Sequence, residues 1–147
     1  MKRMKFTTLA IALAMVIGAV IALDLVVEEG LFDEAEGKIL NVPGSYSTIQ
    51  DAIDDADPGD TVLVGNGTYN ESLSIGKSLI LKGNSTNFVK IISYGSGDVL
   101  TVTSDDVMIS KMTFEHRGLI GKGSCIHVQG VENVTINSVK TFSATFS

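Results

Sequence analysis

The sequence predicts an all-β solenoid of short stacked strands, opened by one short capping helix. Three observations predict it. From Thr61 to Phe142, short β-favouring segments follow one another, separated by Gly, Asn, Ser and Asp. Helical periodicity is confined to one stretch, where Ile49, Ala52, Ile53 and Ala56 fall at i, i+3, i+4 and i+7. Segments also align with one another at a repeat in the high twenties. Asp106–Ser110 matches Asn133–Asn137 at 27 residues, Leu100–Val102 matches Ile126–Val128 at 26, and Leu79–Leu81 matches Val107–Ile109 at 28. Such a period fits one solenoid coil of three short strands. An antiparallel sandwich is the alternative, and helix-free spacing does not exclude it. No tight Asn-Gly or Asp-Gly hairpin separates matched strands, however, with Asn66-Gly67 coming closest.

In chain order, Lys2, Arg3 and Lys5 precede Leu9–Leu23, an unbroken run of 15 residues that are apolar or Gly. With Ala22 at a cleavage point, residues 1–22 read as a secretory signal. The run is short for a membrane span of about 20 residues. Reading on through Asp24 to Val27 lengthens it, so an uncleaved anchor is the alternative. Either reading puts the rest of the chain outside the cytoplasm: secreted, periplasmic or on the cell surface. Residues 23–37 are acidic and read as a solvated linker. The domain then runs over residues 38–147.

Ser47 is the expected N-cap of the helix, with Gln50 three residues on completing a capping box. Ile49 and Ile53 form its apolar stripe. Pro58-Gly59 stops it, because Pro cannot continue the ladder and Gly takes the open turn. Thr61–Val64, β-branched and apolar, reads as a strand. Later ones are expected at Ser78–Leu81, Lys90–Ser93, Val99–Val102, Val107–Ser110, Met112–Phe114, Ile126–Val128, Val134–Ile136 and Val139–Phe142. Alternation points Val107 and Ile109 inward and Met108 outward, and Val134, Thr135 and Ile136 repeat that pattern. The chain ends at Phe146-Ser147 just after a strand, leaving three or four coils. A longer protein of which this is the N-terminal part is the expectation, and a neighbouring copy over the open end the alternative.

The runs Ser47–Asp54 (STIQDAID), Asp57–Glu71 (DPGDTVLVGNGTYNE) and Lys77–Gly83 (KSLILKG) resemble the opening of a right-handed parallel β-helix of the pectin-lyase-like superfamily. Pectin methylesterases and NosD-like proteins begin in this way. The likeness covers roughly Ile39 to Phe114 and implies that the helix plugs the N-terminal end of the coil. It is specific for fold and unspecific for activity, since enzymes, adhesins and surface-layer proteins share this opening.

Asp54, Asp55, Asp57 and Asp60 gather at the C-terminal end of the helix, where its dipole disfavours anions. A calcium ion would offset this. The spacing matches no EF-hand loop, and Asp57-Pro58-Gly59-Asp60 is good turn chemistry, so a turn without a cofactor is expected. Cys125 and His127, two apart on a strand, would share its outward face. They are soft-metal ligands, but two ligands do not make a site. The NosD resemblance implies copper delivery, yet no motif here carries that role. Cys125 is the only cysteine, so no internal disulfide forms. Glu115, His116 and Arg117 unite a carboxylate, an imidazole and a guanidinium, which can do acid–base work on a sugar. Charged loops are more often solvated surface. In the pectin methylesterases the catalytic carboxylates and arginine lie on later coils, in motifs absent here. No serine elbow, phosphate loop or paired zinc motif occurs either.

Four sequons place Asn66, Asn70, Asn84 and Asn133 as glycan acceptors, or simply as turn residues. Without residues 1–22 the chain keeps eight basic and seventeen acidic residues, a net of −9. This argues against nucleic acid and anionic membrane as partners and is neutral towards sugars. The membrane would be met only through the N-terminal segment. The expected function is an exported, non-enzymatic β-helix protein, with polysaccharide or other surface proteins as partners. The alternatives are the N-terminal part of a polysaccharide esterase or lyase and a NosD-like metal-assembly factor.

Overall fold

The computed structural model describes residues 37–118 and 123–144. The signal or anchor segment and all of the linker before Gly37 lie outside the described residues. Ten strands and one helix follow in the order β1 (Ile39–Val42), α1 (Ile49–Asp55), β2 (Thr61–Val64), β3 (Gly67–Asn70), β4 (Leu73–Ile75), β5 (Ile80–Gly83), β6 (Val89–Ser93), β7 (Leu100–Val102), β8 (Met108–His116), β9 (Ile126–Val128) and β10 (Thr135–Ser143).

Every strand pairing is parallel, and each joins one coil to the next. One face of the solenoid runs β1-β2-β5 into the first half of β8. A second runs β3-β6 into the second half of β8, where Lys90 pairs with Thr113. A third is β4-β7-β9. β8 and β10 each span two faces by bending at Lys111 (φ 57°) and Ser138 (φ 54°), left-handed residues stacked one coil apart. This is why the four short segments expected over Val107–Phe114 and Val134–Phe142 emerge as two long strands. The bend at Lys111 also fixes Gly83. A Cβ there would stand 2.1 Å from the Lys111 carbonyl oxygen, so no larger residue fits.

The three sequence offsets are the pairing registers: Ile80 against Met108, Leu100 against Ile126, and Met108 against Thr135. Side chains stack in columns, as a solenoid requires. Leu40, Val62, Leu81 and Ile109 form one column in register, all buried. Ile136 continues it on β10 but stays 44% exposed, because no described strand follows. Val107 and Ile109 are buried and Met108 points out, as alternation required.

α1 packs on β1, β2 and β4, burying Ile49, Ala52 and Ile53. Its caps correct the sequence reading. Thr48, not Ser47, is the N-cap, and its hydroxyl accepts from the Asp51 amide at 3.1 Å. Gln50 closes no capping box. Its side-chain amide instead accepts from the Ser74 N–H at 2.9 Å and donates to the Ser74 carbonyl at 3.2 Å. Gln50 thus pairs with the outer edge of β4, which no described strand covers. The box fails because a better acceptor arrives from the first coil. The Glu71 carboxylate takes the Ile49 amide at 3.1 Å and the Gln50 amide at 3.0 Å. At the other end, Lys77 donates to the carbonyls of Asp54 (2.9 Å) and Ala56 (2.8 Å). An anion at the N-terminus and a cation at the C-terminus both complement the helix dipole.

Candidate functional site: an outer face with an aromatic-lined cleft

Lys77 stands at the acidic end of α1 and complements it. Each aspartate there has its own partner. Asp54 accepts from Gln50, Asp55 from the Tyr46 hydroxyl, and Asp57 from Lys38 at 2.8 Å. Asp60 is buried and ties the turn together, accepting the Lys38 amide at 2.7 Å and the Asp57 amide at 2.8 Å. The Pro58-Gly59 turn forms as expected, with Gly59 at φ 92°.

Cys125 and His127 do not act together. The register sets Cys125 beside Val99 against the core, and its thiol donates to the Phe142 carbonyl at 3.1 Å. His127 is exposed and approaches Asp98 at 3.7 Å. The expected shared outward face fails because Cys125 precedes β9, where the chain is still turning. Among the described residues no group of three or more His, Cys, Asp or Glu side chains is placed to hold a metal ion.

Glu115, His116 and Arg117 part in the same way. Glu115 faces outward on β8, 8% exposed, and accepts from Arg117 Nε at 2.6 Å, with Lys90 Nζ 3.5 Å away. The Arg117 bond, reinforced by the charges of Arg117 and Lys90, holds the Glu115 carboxyl below the usual glutamate range. His116 points inward and is 3% exposed. Its Nδ1 accepts the Gly118 amide at 3.4 Å, and its Nε2 has no partner among the described residues. A solute on the outer face cannot reach it.

Sequence reasoning missed Tyr94 and named Asn70 only as a sequon asparagine. Tyr94 follows β6 in a Gly-rich turn and is 59% exposed, with the Arg117 guanidinium 6.0 Å above its ring and Nη1 3.5 Å from its hydroxyl. Asn70 ends β3 and is in register with Ile92. Together Asn70, Glu71, Ser72, Ile92, Ser93, Tyr94 and Gly95 line an open cleft of about 280 Å³. An exposed aromatic beside a turn was the readable signal. Its pairing with Arg117, 23 residues away, was not.

All four sequon asparagines are exposed. Asn66 and Asn84 sit side by side on adjacent coils, with Asn84 Nδ2 3.4 Å from Asn66 Oδ1.

Comparison with solved structures settles the fold. A pectin methylesterase in complex with a hexasaccharide superposes with a TM-score of 0.58, at 18% identity, over 72% of this chain and 45% of that one. The pectin methylesterase PemA of Erwinia chrysanthemi also gives 0.58, at 17% identity, over 74% and 45%. The chain folds as a parallel β-helix similar to theirs. No protein-family model matches it. By sequence it is 31% identical over 111 residues to a protein named cell surface glycoprotein from Methanothermus fervidus. This covers 74% of the chain and 18% of that protein. The β-helix described here thus spans under half of each esterase and about a fifth of the surface protein.

Proposed function

We propose that this chain is a β-helix module of a cell-surface protein that holds carbohydrate on the outer face of β3, β6 and β8 and has no catalysis of its own. The observation that carries this reading is the Glu115–Arg117 pair beside Tyr94. Glu115 is kept ionised and its charge is answered by Arg117 and Lys90. It therefore makes a poor general acid at neutral pH and a weak base, while His116 is turned inside. The remaining surface is suited to holding a sugar. Tyr94 offers a ring face, Arg117 a planar donor, and Asn70 and Ser72 hydroxyl- and amide-type partners. The surface location is supported by the likeness to a cell surface glycoprotein and by the signal-like residues 1–22.

The test is retention of the full chain on immobilised oligosaccharides, alongside incubation with pectin. Retention that falls about ten-fold in Tyr94→Ala, with no methanol or unsaturated product released, is expected. Turnover of pectin that disappears in Arg117→Ala would instead make the chain an enzyme.

A further inference from the structure

The geometry points to Asn70 as an N-glycosylation site whose own glycan lies in the Tyr94 cleft. This rests on the reading of the cleft as a carbohydrate site and names its occupant. Of the four exposed sequon asparagines, Asn70 lines this cleft itself. Asn66 begins the turn before β3 and Asn84 follows β5, so both sit at the far end of β3 from the cleft. Asn133 borders a different groove, lined by Met108 and Asp106 and without an aromatic ring.

The cleft's two walls are consecutive coils. Asn70, Glu71 and Ser72 form one, and Ile92, Ser93, Tyr94 and Gly95 the other. Asn70 is in register with Ile92, so a sugar on Asn70 Nδ2 starts one coil over and two residues along from Tyr94, a diagonal of about 7–8 Å. Its ring can lie on the tyrosine face without crossing the surface. The cleft is just under the roughly 300 Å³ at which pockets for drug-sized ligands begin, which suits one or two sugar rings. Tyr94 stands 59% exposed, with Arg117 over its ring. A tethered glycan would cover it at a high effective concentration.

The attachment needs a lipid-linked oligosaccharide phosphate as donor. The bond from Asn70 Nδ2 to the anomeric carbon forms, the anomeric C–O bond to phosphate breaks, Nδ2 gives up one proton, and the lipid phosphate leaves. In the folded protein the Ser72 hydroxyl of the sequon is 2.8 Å from the Ser93 hydroxyl. Transfer would accordingly precede docking of the second coil.

The experiment takes the full chain from an exporting host that glycosylates Asn-X-Ser/Thr. Peptide mass mapping is combined with iodination of tyrosine, before and after enzymatic removal of N-glycans. The expected result is a glycan on the Asn70 peptide, and Tyr94 protected several-fold until the glycan is removed or Asn70 is replaced by Gln. Tyr46, near α1, should react equally throughout. An unmodified Asn70 in exported protein overturns the inference, as does a glycosylated Asn70 with Tyr94 fully reactive. Both outcomes leave the binding of added oligosaccharide to the unglycosylated chain as a separate result, on which the proposed function stands or falls.

Discussion

Glu71 should be one of the most costly surface side chains to remove. Its carboxylate accepts the first two amides of α1, from 22 and 21 residues away, and so clamps the helix to the first coil. Hydrogen bonds to a charged group are worth about 1.5–3 kcal/mol, and an anion at a helix N-terminus adds about 0.3–1 kcal/mol. Glu71→Ala loses both and leaves two part-buried amides without their acceptor, so a destabilisation of about 2–4 kcal/mol is expected. Against a total of about 5–15 kcal/mol this is a large share. At about 4 °C per kcal/mol for a domain of this size, the midpoint should fall by roughly 8–16 °C. Glu71→Gln keeps a carbonyl acceptor but not the charge and should lose about half as much. Thermal melts followed by circular dichroism decide it. A Glu71→Ala midpoint equal to the parent's would refute the clamp.

Ile53, 1% exposed under the helix, should tolerate no charge. Ile53→Asp should cost more than about 4 kcal/mol, whereas the exposed Asp51→Ala should stay within about 0.5 kcal/mol; equal melting points would mean that α1 is not docked. Gly83→Ala should also be strongly destabilising, since its methyl would meet the Lys111 carbonyl, and an unchanged urea midpoint would contradict that close approach. Acid should weaken the outer face. The folded-state pKa of Glu115 lies below the ordinary 4.5, so its stabilisation is full above that value and fades as pH falls through the depressed one. The stability gap between the parent and Glu115→Gln should therefore narrow from neutral pH to about pH 3; a constant gap would remove the ion pair from the account.

What the sequence showed and what it hid divide along coil lines. The registers were legible because Leu, Ile and Val recur where columns must stack, as in Leu81 over Ile109. The inward and outward sides of Val107–Ile109 followed from alternation. β3 was hidden because Gly67-Thr68-Tyr69-Asn70 looks like a turn, and pairing with β6 alone makes it a strand. The N-cap slipped by one residue between two neighbouring hydroxyl residues, Ser47 and Thr48. Gln50 misled because its amide found the edge of β4, 24 residues on. Glu71 and Lys77 act one coil away from their partners, as Arg117 does at Tyr94, where no local pattern points. The three-residue cluster at Glu115 broke up for the opposite reason: adjacent residues on a strand face opposite sides.

The Tyr94 face should hold sugar without transforming it. The most direct measurement is a chemical-shift titration of the full chain, produced without N-glycans, with short oligosaccharides, and with the sugar recovered at the end. Shifts concentrated at Asn70, Tyr94 and Arg117, with the oligosaccharide recovered unchanged, are expected. Shifts absent from this face, or a hydrolysed or de-esterified product, would contradict it.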